Sequence, residues 1–345
     1  MPKVTIKDIA KRVGVSPTTV SNVINGRHRK VSSDTIHKIN RVIEETKYVP
    51  DLSARSLVSR RSKMIGVIIP QTEEHRQFLL ENPFYSEIVS GIENKLRANG
   101  YYMMLTGVDK DTTELAALSN WNLDALILMG FYKDGLYEQF KSVKVPVLLI
   151  DSYIEDEYFH HLGIDDEQGS YLATKHLIDH GHRHIALVSG HLKEDGVADK
   201  RYKGYQRALW EHDIPYNPAY VFADSVSYEW GLEAAGAIQG QGEITAAFCT
   251  ADLIAAGVMT GLHGSGLSVP GDISVVGFDN LSISKMTFPA LTTVNQEIFD
   301  KGQKAAESVL DILNKGINSV PRNQVLEVSI MERDSVKRLE EAEDK

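Results

Sequence analysis

From Met64 onward the chain alternates short apolar runs with stretches of helical periodicity, and this rhythm restricts the fold more than any other feature. The runs are MIGVIIP, YYMMLTGV, LDALILMG, VPVLLID, HIALVSG, ITAAFCT and DISVVGFD. They are short and apolar throughout, which fits strands buried on both faces. Between them lie segments such as Ser86–Asn99, where Ile88, Ile92 and Leu96 recur on one helical face. Strands alternating with helices build βαβ units and parallel sheets covered on both sides. Seven or so units overfill one compact sheet, so two α/β halves are expected, with the break near HHLGID, residues 160–165.

The first 63 residues are of another kind. They hold 14 Lys/Arg against 5 Asp/Glu, a net of +9, while residues 64–345 hold 23 against 42, a net of −19. A basic head on an acidic body fits a polyanion-binding module, although a solvated basic tail would carry the same charge.

Within the head, Thr5 is placed to cap a helix in which Ile6, Ile9, Ala10 and Val13 recur, and Gly14 ends it. Ser16 and Pro17 then open a second helix with Val20, Val23 and Ile24 on its apolar side. A third helix is expected from about Ser33 to Thr46, presenting Ile36, Ile39, Ile43 and the stem of Lys47 inward. Two short helices joined at a glycine form a helix-turn-helix pattern. The outer face of the second helix carries Thr18, Ser21, Asn22 and Asn25, small polar side chains that make poor helix formers but can approach base edges and phosphates closely. An ordinary wet helix face is the competing reading.

The next segment, YVPDLSARSLVSRRSK, breaks at Pro50 and allows one brief helix through Leu52–Val58. So short a helix is marginal alone. With Leu57 exposed among Arg55, Arg60 and Arg61, it suits insertion into a minor groove; a flexible linker is the alternative.

Taken together, VTIKDIAKRVGVSPTTVSNVING, KVSSDTIHKINRVIEETKYVPDLSARSLVSRRSK, NPFYSEIVSGIE, LDALILMG, VPVLLID, DHGHRHIALVSG, RYKGYQRAL, VPGDISVVGFDN and LTTVNQ resemble, in order and spacing, the LacI/GalR family of bacterial transcriptional repressors. The resemblance implies a small all-α helix-turn-helix domain followed by an α/β effector domain. That domain would comprise two Rossmann-like parallel-sheet subdomains, similar to type I periplasmic binding proteins. The corresponding boundaries are 1–49 for the DNA-binding head and 50–62 for the hinge helix. Residues 63–161 and 292–321 would form one effector subdomain, and 162–291 and 322–340 the other.

It also implies base contacts from Pro17, Thr18 and Asn22, and phosphate contacts from Ser16, Thr19, Ser21, Asn25 and Arg29. Ala54, Arg55 and Leu57 would enter the minor groove from the hinge, and a homodimer would read a palindromic double-stranded operator. The loop NGRHRKVS is one residue longer than in many relatives. Pro17 has no side-chain donor and can read only an apolar feature such as a thymine methyl.

In open α/β sheets, ligands bind beyond the carboxyl ends of strands. Phe131, Asp151 and Asp279 each follow or end an apolar run there, and the resemblance adds Phe84, Tyr85 and Arg201. Carboxylates and an arginine suit paired hydroxyls, and an aromatic ring suits a sugar or base face. Taken singly, the aspartates could be turn formers and Arg201 a surface ion pair. Val226 and Ala251 stand where many relatives have an aromatic ring and an asparagine, so Tyr228 or Trp230 would have to supply the ring.

The function expected is a repressor of a carbohydrate-utilisation operon, controlled by a small sugar-like effector. A cytosolic sugar-binding protein, or a regulator answering to a purine or a partner protein, is the alternative. No enzyme motif is present: GLHGSGL is a lone G-x-G, and Cys249 lies in an apolar run. His176 and His180 have a spacing that can ligate zinc, but HGHRH reads as a helix-to-strand turn, so neither metal nor cofactor is expected. With one cysteine, no long apolar span and no apolar signal core near Met1, a cytoplasmic location without membrane contact is expected.

Overall fold

The computed structural model describes residues 4–48, 61–71, 79–109, 122–132 and 135–340. Contacts divide the chain into two units, Met1–Ser62 and Lys63–Lys345. The expected hinge residues Ala54, Arg55 and Leu57 lie outside the described residues.

In the first unit, α1 (Ile6–Val13), α2 (Pro17–Ile24) and α3 (Ser33–Thr46) are set by their end residues. Thr5 and Asp8 form a reciprocal capping box, the Asp8 carboxylate accepting from the Thr5 N–H at 2.9 Å. Gly14 ends α1 in the left-handed region at φ 76°, its N–H bonded to the Ala10 carbonyl. Ser16 caps α2 with Pro17 in the first turn, and Ser32 caps α3. Ile9, Ala10, Val20, Val23 and Ile39 form the buried core, flanked by Ile36 and Ile43. Lys47 does not lend its stem as expected. It ends α3 in the left-handed region and is exposed, and Tyr48 packs against the core instead.

The second unit contains two sheets. The first has the order β11-β5-β4-β3-β1-β2, built from β1 (Met64–Gln71), β2 (Tyr102–Asp109), β3 (Ala125–Met129), β4 (Val147–Ile150), β5 (His160–Ile164) and β11 (Asn323–Leu326). The second has the order β12-β10-β9-β8-β6-β7, from β6 (Ile185–Gly190), β7 (Val221–Asp224), β8 (Ala246–Cys249), β9 (Ser274–Asp279), β10 (Thr292–Asn295) and β12 (Ser329–Met331). The ladders are parallel except where β12 runs antiparallel to β10.

The covering helices are α4 (Pro83–Ala98), α5 (Gly135–Phe140), α6 (Asp166–Asp179), α7 (Val197–Glu211), α8 (Tyr228–Gln241), α9 (Asp252–Gly264), α10 (Ser282–Met286) and α11 (Ile298–Lys315). Helix α4 starts three residues before the expected Ser86. Asn82 accepts from the Phe84 N–H and Pro83 occupies the first turn, which places Phe84 and Tyr85 on the helix itself.

Three helix pairs pack almost backbone to backbone. A Cβ on Gly302 of α11 would lie 2.3 Å from the Ile88 carbonyl of α4. One on Gly204 of α7 would meet Glu167 of α6, and one on Gly257 of α9 would meet Tyr228 of α8.

The chain passes between the sheets three times. His160–Leu162 pairs with β4 and His161–Ile164 with β11, so the first crossing follows Ile164, inside the expected break at 160–165 and slightly beyond the 162 boundary. Thr292–Asn295 pairs with β9, which moves the second from 291 to beyond Asn295. Asn323–Leu326 pairs with β5, which moves the third from 321 to between Leu326 and Ser329. In each case a short, partly polar strand joins the ladder without an apolar run to mark it.

Candidate functional site

On α2, residues Pro17, Ser21, Asn25, Thr18 and Asn22 occupy one continuous arc opposite buried Val20 and Val23. Their hydrogen-bonding states differ. Ser16 Oγ accepts from the Thr19 N–H at 3.1 Å and shares a hydrogen bond with Thr19 Oγ1 at 2.9 Å. The Asn25 amide donates to the Ser21 carbonyl at 2.8 Å and lies 3.3 Å from its hydroxyl. Among the described residues, the Thr18 hydroxyl and the Asn22 amide make no hydrogen bond. Arg29 is exposed in the single 3₁₀ turn His28–Lys30.

In the second unit, Asp151 follows β4 and Asp279 ends β9, both with positive φ, 51° and 116°. Asn280 and Glu297, beside the same seam, also have positive φ. Four non-glycine residues in the left-handed region are a local concentration of strain of the kind found at ligand sites. An open cavity of about 330 Å³ adjoins these strand ends, lined by Glu87, Asp279, Asn280, Lys285, Asn295 and Glu297 among others.

The charged side chains of the seam form a ring. Lys301 of α11 donates to both Asp151 oxygens, at 3.0 and 2.7 Å, and to Gln296 Oε1 at 2.6 Å. Gln296, in the second crossing, donates to Asp279 Oδ1 at 2.5 Å. Asp279 lies 3.7 Å from Arg201 Nη1, and Arg201 Nε donates to Asp166 Oδ1 at 2.7 Å. The Tyr153 hydroxyl, two residues after Asp151, donates to the other Asp166 oxygen at 2.5 Å. The ring thus leaves the end of β4, passes through two crossings and the second sheet, and returns beside its start.

Arg201 is buried, lies over the Phe278 ring at 3.5 Å and donates to the Thr250 carbonyl. Burial opposes its charge, but the Asp166 and Asp279 carboxylates override this and raise its pKa. For Asp279, burial dominates and lifts the carboxyl to about 7, against the pull of Arg201, Gln296 and Lys301. Burial also raises Asp151, with Lys301 opposing.

The sequence-derived candidates separate here. Asp151, Arg201 and Asp279 meet in the ring, and the Phe84 ring lies 5.1 Å from Lys301 Nζ. Tyr85 is a T-shaped neighbour of Phe84 at 5.5 Å. Phe131 is not brought to the seam: its ring is buried in the core against Phe140, 5.3 Å away. Its neighbour Tyr132 faces Lys193 instead, with Nζ 3.4 Å from the ring centroid. Trp230 donates its indole N–H to the Ser189 carbonyl and packs with Val226 and Ala251 on the core of the second sheet.

Lys301, Gln296, Asp166, Tyr153 and Tyr132 were not legible as site residues in isolation. One signal was present: Ile298, Lys301, Gly302, Ala305 and Val309 share the buried stripe of α11, and a lysine inside such a stripe needs a buried acid.

The histidines have structural partners. Buried His182 lies 3.0 Å from Thr245 Oγ1 and 3.2 Å from the Lys337 carbonyl, and burial lowers its pKa to about 4. Among the described residues, no group of three His, Cys, Asp or Glu is placed to hold a metal ion. Cys249 is buried, and burial pushes its thiol upward, away from the nucleophilic thiolate.

Residues 5–51 match the family described as bacterial regulatory proteins, lacI family, and residues 174–336 match the periplasmic binding protein-like domain. The chain is 36% identical over 318 residues to catabolite control protein A of Priestia megaterium, covering 90% of this chain and 93% of that protein. It is 33% identical over 337 residues to the ribose operon repressor of Haemophilus influenzae, covering 96% and 98%. To the transcriptional repressor PurR of Actinobacillus pleuropneumoniae it is 33% identical, covering 89% and 90%. Among solved structures, the lac repressor dimer bound to operator and the anti-inducer ONPF superposes with a TM-score of 0.84 at 28% identity, covering 97% of this chain and all of that one. A complex of the regulator CelR with cellobiose gives 0.71 at 28%, covering 96% and 100%.

Proposed function

Because this chain belongs to the LacI family of bacterial regulatory proteins, and is a DNA-binding transcription regulator rather than an enzyme, we propose that it represses a carbohydrate-utilisation operon under the control of a small sugar bound at the seam between its two sheets. Two copies read a palindromic operator. Pro17, Thr18 and Asn22 contact bases, while Ser16, Thr19, Ser21, Asn25 and Arg29 contact phosphates. Ala54, Arg55 and Leu57 of the paired hinges enter the minor groove. Occupancy of the seam selects one closure of the two halves, and operator affinity follows; a coupling of roughly 1–3 kcal/mol gives a change of about 5- to 150-fold.

The observation that carries the sugar reading is the ring. Running in the order Asp151, Lys301, Gln296, Asp279, Arg201 and Asp166, it sets carboxylate acceptors beside cationic and amide donors, a layout that suits vicinal hydroxyls. A relative that regulates a ribose operon and a structural neighbour complexed with cellobiose point the same way. The PurR relatives favour a purine as the second reading. Selecting the bound operator from random duplexes, then titrating D-ribose, D-glucose, cellobiose and hypoxanthine against that complex, separates the two. Release or tightening by a sugar alone supports the proposal, and a response to hypoxanthine alone replaces it.

A further inference from the structure

Lys301 is the unexpected occupant of the seam. It is a fully buried lysine whose ammonium sits between the Asp151 carboxylate and the Gln296 carbonyl, 5.1 Å from the centre of the Phe84 ring. Its position is enforced: Gly302, the next residue, lets α11 approach the backbone of α4, which also carries Phe84. The three ammonium hydrogens are engaged by these neighbours, while the Asp151 side chain stays 12% exposed and its carboxylate keeps lone pairs that Lys301 does not use. A ligand that engages both groups enters the Lys301–Asp151 pair from the Asp151 side.

Few groups can do so without leaving a buried charge unpaired, which is strongly unfavourable. A hydroxyl can, because one oxygen both accepts from the ammonium and donates to the carboxylate. An anionic oxygen satisfies Lys301 but faces Asp151 with a like charge. We propose that Lys301 is the specificity-determining residue of the effector cleft, selecting neutral effectors with a hydroxyl that inserts between its ammonium and Asp151. The inference rests on the sugar reading of the cleft and adds which group of the sugar is read, and by what.

The test is a ligand-deletion cycle by calorimetry on the full-length protein. D-Ribose, D-glucose, cellobiose, hypoxanthine and glucose 6-phosphate are titrated first, followed by monodeoxy analogues of whichever sugar binds. One monodeoxy analogue is expected to bind wild type about 10- to 100-fold more weakly than its parent, yet to differ by less than about 3-fold on Lys301→Met. A general disturbance of the fold would weaken parent and analogue alike and leave their ratio unchanged. Should Lys301→Met fail to fold, Lys301→Met/Asp151→Asn removes both charges together and carries the same comparison. If every analogue loses equally on wild type and variant, Lys301 does not read the sugar and the sugar reading itself stands. If wild type binds only hypoxanthine, only glucose 6-phosphate or none of the probes, the sugar reading fails and the inference with it.

Discussion

Arg201 and Asp166 are joined by a 2.7 Å hydrogen bond between Nε and Oδ1, and both are buried. The family resemblance, taken without the structure, suggests that Arg201→Ala would abolish the effector's influence and leave operator affinity intact. The structure points elsewhere, because the truncation strands the Asp166 and Asp279 carboxylates in the interior. The expected loss is about 3–5 kcal/mol of stability, read as a lowered denaturant midpoint. An unchanged midpoint would mean that the seam is wet enough to solvate both acids.

Asp279 gives the fold a pH signature. Its carboxyl is raised from the usual 3.8 to about 7, chiefly by burial, so the folded state holds a proton that the unfolded chain releases near pH 4. The resulting stability is fully present below about pH 4 and is lost as pH rises through 7. His182, held near 4 by burial, acts in the opposite sense, removing stability as pH falls below its ordinary 6.5. The difference between wild type and Asp279→Asn isolates the carboxylate. Asp279→Asn should lose less stability than wild type between pH 5 and 8, and parallel melting curves across that range would contradict the assignment.

On α2 the internal hydrogen bonds sort the polar residues. Thr18→Ala and Asn22→Ala remove groups without partners among the described residues, so the head should melt as before while specific operator binding falls by about 1–3 kcal/mol. Ser16→Ala removes a helix cap and should lower head stability by about 0.5–2 kcal/mol. Thermal melts paired with operator titrations decide this. Destabilisation by Asn22→Ala equal to that by Ser16→Ala would remove the distinction.

Gly302→Ala should cost about 1–3 kcal/mol, since its methyl would meet the Ile88 carbonyl at 2.3 Å, and helix backbone yields poorly. Gly264→Ala, at a position with no atom within 4 Å, is the control and should be neutral or slightly stabilising. Chemical denaturation of the two variants makes the comparison.

What could be read from sequence follows the range of the interactions involved. The start of α3 was legible because its capping and polar first turn act locally, and a strand end such as Asp151 or Asp279 is marked by the apolar run before it. Lys301 was not, because its partner Asp151 is 150 residues away and a lysine on a helix ordinarily reads as solvent-facing. Phe131 follows its apolar run as a site residue would, but its ring packs in the core against Phe140, a contact with no local signature, while Tyr132 faces Lys193. The crossings came late because β5, β10 and β11 are held by ladder bonds rather than by apolar content.

The glycine crossings of α4 with α11, α6 with α7 and α8 with α9 have a mechanical consequence. Backbones in van der Waals contact leave no compliant layer of side chains between these paired helices, so each pair is expected to move as one body. The three short connectors after Ile164, Asn295 and Leu326 carry no such crossing, so relative movement of the two halves is expected to concentrate in them.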